Sequence, residues 1–176
     1  VNSVTLRKGA DAGDDVTLNL GTYTTALTID ASAMNVTSTT NAAGTTVADT
    51  VDAMVNLTAT NATGALTVTG TSGWDIIAAG QGNDSYTLGL GNDSITFATG
   101  MISNLDTVSG GEGTDTITVD SSTTAITDVN FINVTSVENV VDTDTSADMT
   151  LSTYASAAGI TKVTVASGSG NDVVNA

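Results

Sequence analysis

Short runs in which every second residue is apolar recur along the whole chain. Val16-Thr-Leu-Asn-Leu20, Ala26-Leu-Thr-Ile29, Val55-Asn-Leu-Thr-Ala59 and Ala65-Leu-Thr-Val-Thr69 lie in the N-terminal part. Ser85-Tyr-Thr-Leu88, Ser94-Ile-Thr-Phe97, Thr116-Ile-Thr-Val119, Val134 to Val141 and Lys162-Val-Thr-Val165 follow. Alternation of this kind predicts strands with one buried face, and the Gly, Asn, Asp and Ser that bound each run are strand punctuation. A spacing of about ten residues is compatible with a sandwich, a barrel or a stack of coils, so spacing alone does not choose. Residues 39–54 and 143–159 carry the weakest strand pattern. The Ala/Ser-rich stretch Thr145 to Gly159 predicts one short helix.

An internal repeat makes the choice. On a nine-residue ruler starting at Gly70, GTSGWDIIA (70–78), AGQGNDSYT (79–87) and LGLGNDSIT (88–96) abut without a gap. Position four is Gly73, Gly82 and Gly91; position six is Asp75, Asp84 and Asp93; position eight is Ile77, Tyr86 and Ile95. Phe97 to Gly100 interrupt the ruler. MISNLDTVS (101–109) retains Asp106 and Val108, GGEGTDTIT (110–118) fits at every position with Asp115, and SGSGNDVVN (167–175) brings Asp172 and Val174. A degenerate copy sits around Gly13 and Asp15.

The pattern resembles the calcium-binding nonapeptide G-G-x-G-x-D-x-U-x of the RTX family, U being large and apolar. The likeness covers residues 70–118 and 167–175. Thr71 stands for the second Gly of the first copy, and Ala79 and Leu88 for the first Gly of the next two, which predicts looser turns there. The resemblance implies an all-β fold, a right-handed parallel β-roll or β-helix, with two copies per coil and turns alternating between two edges. Gly supplies the positive φ and the open carbonyls that such turns need. Position eight points inward, and positions seven and nine face solvent. Stacked turns then align the carboxylates. Asp75 and Asp93 share one Ca²⁺, Asp93 and Asp115 the next on that edge, and Asp84 and Asp106 one on the other. Aligned acids repel unless a hard cation sits between them, and carboxylates with carbonyls suit Ca²⁺. The implied ligand set is Asp75, Asp84, Asp93, Asp106, Asp115 and Asp172, with Gly73, Gly80, Gly82, Gly89, Gly91, Gly110, Gly111, Gly113, Asn83 and Asn92 shaping the turns.

Asp and Asn also cap turns without metal, and for Asp11, Asp14 and Asp15 that is the better reading. Asp142, Asp144 and Asp148 read as solvated loop residues, and Trp74, at position five, as outward. Phe131 to Val140 resembles the linking coils between RTX blocks. The chain then divides into irregular coils (1–69), the repeat block (70–118), linking coils (119–166) and the start of a further repeat (167–176).

Composition narrows the chemistry. The chain has no His, Cys or Pro. That excludes His/Cys metal sites and Cys–His or Ser–His–Asp catalysis. Lys+Arg number 3 against 19 Asp+Glu, a net charge of −16, so no basic stripe for nucleic acid exists. Charged residues are only 12% and apolar ones 40%, which argues for a folded chain rather than a disordered acidic one. Aromatics are few, so the core must be thin and built from Val, Ile, Leu, Ala and Thr. No segment has the length and apolarity of a membrane span or a signal peptide. The chain opens at Val1 and reads as a piece of a longer protein.

The resemblance, joined to a composition rich in Thr, Ala, Asn and Gly, implies a structural role without catalysis. The chain is similar to segments of bacterial surface-layer (S-layer) proteins exported by type I secretion, in which Ca²⁺ stiffens subunits and joins them. Its partners would be other copies of itself and, through another domain, cell-surface polysaccharide. A stalk section of an RTX adhesin and the calcium-binding tail of a secreted protease, lipase or toxin are the alternatives.

Overall fold

The computed structural model describes residues 3–7, 15–34, 54–145 and 149–166 in full, and the backbone of 39–40, 46–47 and 173–174. In chain order the strands are β1 (Ser3–Arg7), β2 (Val16–Asn19), β3 (Leu27–Ala33), β4 (Thr39–Thr40), β5 (Thr46–Val47), β6 (Val55–Thr58), β7 (Leu66–Thr69), β8 (Ile76–Ala78) and β9 (Ser85–Leu90). They continue with β10 (Ser94–Thr96), β11 (Thr107–Glu112), β12 (Thr116–Val119), β13 (Ile126–Thr127), β14 (Val134–Thr135), β15 (Asn139–Asp142), β16 (Met149–Leu151), β17 (Lys162–Val165) and β18 (Val173–Val174). A 3₁₀ turn spans Asp128–Phe131, and one helix, α1 (Thr153–Ala158), falls inside the Ala/Ser-rich stretch expected to be helical.

The fold is all-β, and its large sheets are parallel. One sheet runs β1-β3-β7-β9-β11-β14 and the other β17-β15-β12-β10-β8-β6-β2. From β6 to β12 the chain visits the two sheets in strict alternation. Each strand therefore pairs with the strand two places on, as parallel pairing requires of a chain that crosses over and returns. The sheets run unbroken from strands before residue 70 to strands after 118, so the repeat block and its flanks share one pair of sheets. Beyond β12 a third sheet, β13-β16-β18, adds a further face. The small antiparallel pair β4–β5 stands apart from these.

Register explains the core. In one sheet Ile29, Val68, Tyr86, Val108 and Val134 lie in one line of paired positions. In the other, Leu57, Ile77, Ile95, Ile117 and Val140 do the same. Every one of these side chains is buried. They include position eight of each described repeat, as alternation predicts. The flanking positions are mostly polar and at least partly exposed. Ala79 and Leu88, expected to loosen turns, are instead fully buried core residues. Position one faces inward, so an apolar side chain there adds to the core.

The interruption after Thr96 is absorbed without loss of register. Phe97 enters the core and meets Tyr86 edge to face at 6.1 Å. Ser94 pairs with Ile76 on one side and with Thr116 on the other, so the sequence spacing between paired strands lengthens from 18 residues to 22 while the Asp positions stay aligned. Val134 to Val141, expected as one strand, is two strands in different sheets. The chain bends at Ser136, whose φ of 52° is the one positive non-glycine value among the described residues.

Candidate metal centre

The repeat acids form two columns, one on each edge. On the first, the Asp75 N–H donates to Asp93 Oδ1 at 2.8 Å and the Asp93 N–H to Asp115 Oδ1 at 2.8 Å. The column extends both ways. Val55 N–H donates to Asp75 Oδ1 at 2.7 Å, and Asp115 N–H to Glu138 Oε2 at 2.8 Å. On the second edge Leu66 N–H donates to Asp84 Oδ1 at 2.8 Å and Asp84 N–H to Asp106 Oδ1 at 2.9 Å. One oxygen of each carboxylate thus ties the start of its strand to that of the paired strand before it. All five Asp side chains are at most 2% exposed.

The second oxygens differ. Asp75 Oδ2 accepts the Thr71 N–H at 2.7 Å. Asp84 Oδ2 accepts the Tyr86 hydroxyl at 2.9 Å. Asp106 Oδ2 accepts both the Ser103 N–H and its hydroxyl. Asp93 Oδ2 and Asp115 Oδ2 are buried with no hydrogen-bond donor. Burial pushes the Asp93 carboxyl up to about 7, and the charges of Asp75 and Asp115 add to the rise against the lowering bond from the Asp75 N–H. Burial raises Asp75, Asp84 and Asp115 as well. A buried polar atom without a partner is costly and rare in native structures. Two of them on one column of acids call for something positive.

The glycines bring main-chain oxygens close by. A Cβ on Gly91 would collide with the Gly73 carbonyl, and one on Gly113 with the Gly91 carbonyl, so position four stacks backbone on backbone. Gly89 and Gly111 stack the same way on the carbonyls of Thr71 and Gly89. Gly110 borders both Asp115 Oδ2 and the Ser136 carbonyl. On the other edge Gly80 lies against Asp84 Oδ2 and donates its N–H to the Tyr86 hydroxyl, while Gly82 lies against the Gly64 carbonyl. Asn83 and Asn92 are exposed, and the Asn92 Oδ1 accepts the Thr114 N–H at 2.8 Å. Their side chains stand apart from the buried acids because position five points outward, as it does for Trp74, which is 59% exposed.

Asp172, with most of residues 167–176, lies outside the described residues, as do Asp11, Asp14 and Asp148. Asp15 is exposed. Asp142 corrects the expectation of a solvated loop residue. It is buried, and its carboxylate accepts the Ser121 hydroxyl at 2.6 Å and the Ser121 and Asp144 N–H groups. Glu138 went unread as a member of the column. The signal was present: on the same ruler Asn133 to Val141 has an acid at position six and Val140 at position eight. The missing glycines hid it.

Among the described residues no three His, Cys, Asp or Glu side chains gather in one place. A cation on this edge would therefore draw on pairs of carboxylates and on main-chain carbonyls. Also among the described residues, no helix is long and apolar enough to cross a membrane. Comparison with known protein families, with curated proteins and with solved structures gives no match.

Proposed function

We propose that the chain is a calcium-binding structural module, a right-handed parallel β-roll continued by β-helix coils, from an extracellular bacterial assembly protein of the S-layer kind. The observation that carries this reading is the pair of buried, donorless oxygens on Asp93 and Asp115. Ca²⁺ takes roughly six to eight oxygen ligands, carboxylate and carbonyl alike. The first edge has both kinds close together. Asp93 and Asp115 would hold the ion, with the glycine-rich turns 88–91 and 110–113 admitting carbonyls; Asp75 contributes charge. The ion supplies positive charge that lets the carboxylates stack unprotonated. Right-handedness follows from the strong preference of parallel crossovers for that hand.

The rest of the reading rests on composition. With 3 basic residues, no His and no Cys, the chain is poorly supplied for catalysis, which favours a structural role. A net charge of −16 favours an environment rich in divalent cations. Extracellular calcium modules commonly bind at about 10⁻⁴–10⁻³ M. At that strength the module would be unloaded and less stable in a low-calcium cytoplasm, and would take up the ion and stiffen after export.

The test is circular dichroism and titration calorimetry of the whole chain in EGTA and in Ca²⁺. Calcium uptake with a gain of β signal or of thermal stability is expected. Absence of any heat of binding, with an unchanged melting curve, would remove calcium from the function.

A further inference from the structure

The acid column does not stop at the last repeat. Glu138 lies 23 residues beyond Asp115, outside the glycine-bearing copies, yet its carboxylate accepts the Asp115 N–H as Asp93, Asp106 and Asp115 accept the N–H of the acid before. Beside it, Asp115 Oδ2 is buried and has no donor. The Ser136 carbonyl faces the same spot: a Cβ on Gly110 would strike both that carbonyl and Asp115 Oδ2. Two electron-rich oxygens therefore crowd one small space, kept free because residue 110 has no side chain. Ser136 holds its carbonyl there at the expense of a left-handed backbone, φ 52°, which residues with a side chain adopt at some strain. Strain of this sort in a linking coil needs a compensating interaction.

We infer that the joint between the repeat block and the following coil is itself a Ca²⁺ site, closed by Asp115 Oδ2, the Ser136 carbonyl and the Glu138 carboxylate. This rests on the calcium reading above and adds to it a site that the repeat pattern does not mark. It couples the coils after residue 118 to metal binding. The ion would lock β12 (Thr116–Val119) to β15 (Asn139–Asp142), so order would spread from the repeats into a segment without them.

The test compares the wild-type chain with Glu138→Gln and Ser136→Gly by calcium titration calorimetry and native mass spectrometry. Glu138→Gln keeps an amide oxygen for the Asp115 N–H, so the stack survives while the ligand charge is lost. One fewer Ca²⁺ per chain is expected at a concentration that saturates wild type, with the same circular dichroism in Ca²⁺. Ser136→Gly keeps the left-handed backbone and its carbonyl, and is expected to keep the wild-type count. An unchanged count and isotherm in Glu138→Gln overturns the joint site alone. Loss of the ion in Ser136→Gly overturns the carbonyl assignment. A wild-type chain that takes up no Ca²⁺ overturns the joint site together with the calcium reading.

Discussion

Asp93→Asn separates two roles that one carboxylate combines. Oδ1 accepts the Asp75 N–H at 2.8 Å, and an amide oxygen does this equally well. Oδ2 is buried without a donor, in line with the acids before and after it. An unsatisfied buried acceptor costs about 1–3 kcal/mol, more when charged. Asn removes the charge and brings N–H donors, so the metal-free variant should be more stable than metal-free wild type by about 1–3 kcal/mol well above neutral pH. In Ca²⁺ the sign reverses, because the variant gains less from the ion than wild type does.

The pH dependence follows from the same residue. Its folded-state value is raised from 3.8 to about 7, so the folded form holds a proton that the unfolded form has released. The stabilisation from that proton is complete below 3.8 and is lost as pH rises through about 7. Metal-free wild type should therefore become more stable on acidification across this window, and Asp93→Asn should lose that part of the slope. Calcium requires the deprotonated form, so its affinity should fall over the same range. Urea unfolding followed by circular dichroism, in EGTA and in Ca²⁺ on both sides of pH 7, measures all of this. A variant less stable than wild type in EGTA above pH 7, with an unaltered pH profile, would refute the reasoning: Asp93 would then be an ordinary, satisfied turn acceptor.

Two further outcomes test the packing around the columns. Ile95→Ala opens the core between Ile77 and Ile117 and should cost about 2–5 kcal/mol by urea unfolding, with no change in the number of calcium ions bound. Tyr86→Phe removes the hydroxyl that accepts the Gly80 N–H at 3.0 Å and donates to Asp84 Oδ2 at 2.9 Å. It should cost about 1–3 kcal/mol, and a neutral result would mean that Asp84 Oδ2 finds another donor.

Much of this architecture was legible because a strand has a period of two and the repeat a period of nine. Position eight gave the inward line from Ile77 to Ile117, and position six gave both Asp columns. Other features depend on partners remote in sequence. Asp142 is buried because Ser121 meets it from 21 residues away, a contact no local pattern announces. The break of Val134 to Val141 depends on one backbone angle at Ser136, a residue type that gives no warning of positive φ. β13 and β16 are too short to alternate visibly. Leu88 looked like a fault in a turn because the repeat has Gly there, but position one faces the core, where a leucine is an asset.

The departures from the repeat have a physical logic of their own. Every acid commits one oxygen to the paired strand before it, so what distinguishes the sites is the second oxygen. Thr71 stands where the repeat has Gly, and its N–H and hydroxyl both reach Asp75. Tyr86 is a position-eight residue with a hydroxyl, and it reaches Asp84. Ser103 belongs to the copy that has lost its glycines, and it holds Asp106 twice. Asp93 and Asp115 sit in copies with Gly at positions two and four and an Ile at position eight, where no side chain offers a proton. Under the calcium reading, a protein donor and a metal ion are alternative answers to the same buried oxygen. The copies with Thr71, Tyr86 or Ser103 carry the donor within themselves, whereas those of Asp93 and Asp115, which offer none, depend on an ion from outside. The need for calcium is then concentrated on one edge, from Asp93 to Glu138, and the opposite edge, where Asp84 and Asp106 are already satisfied, should hold its turns with no ion at all.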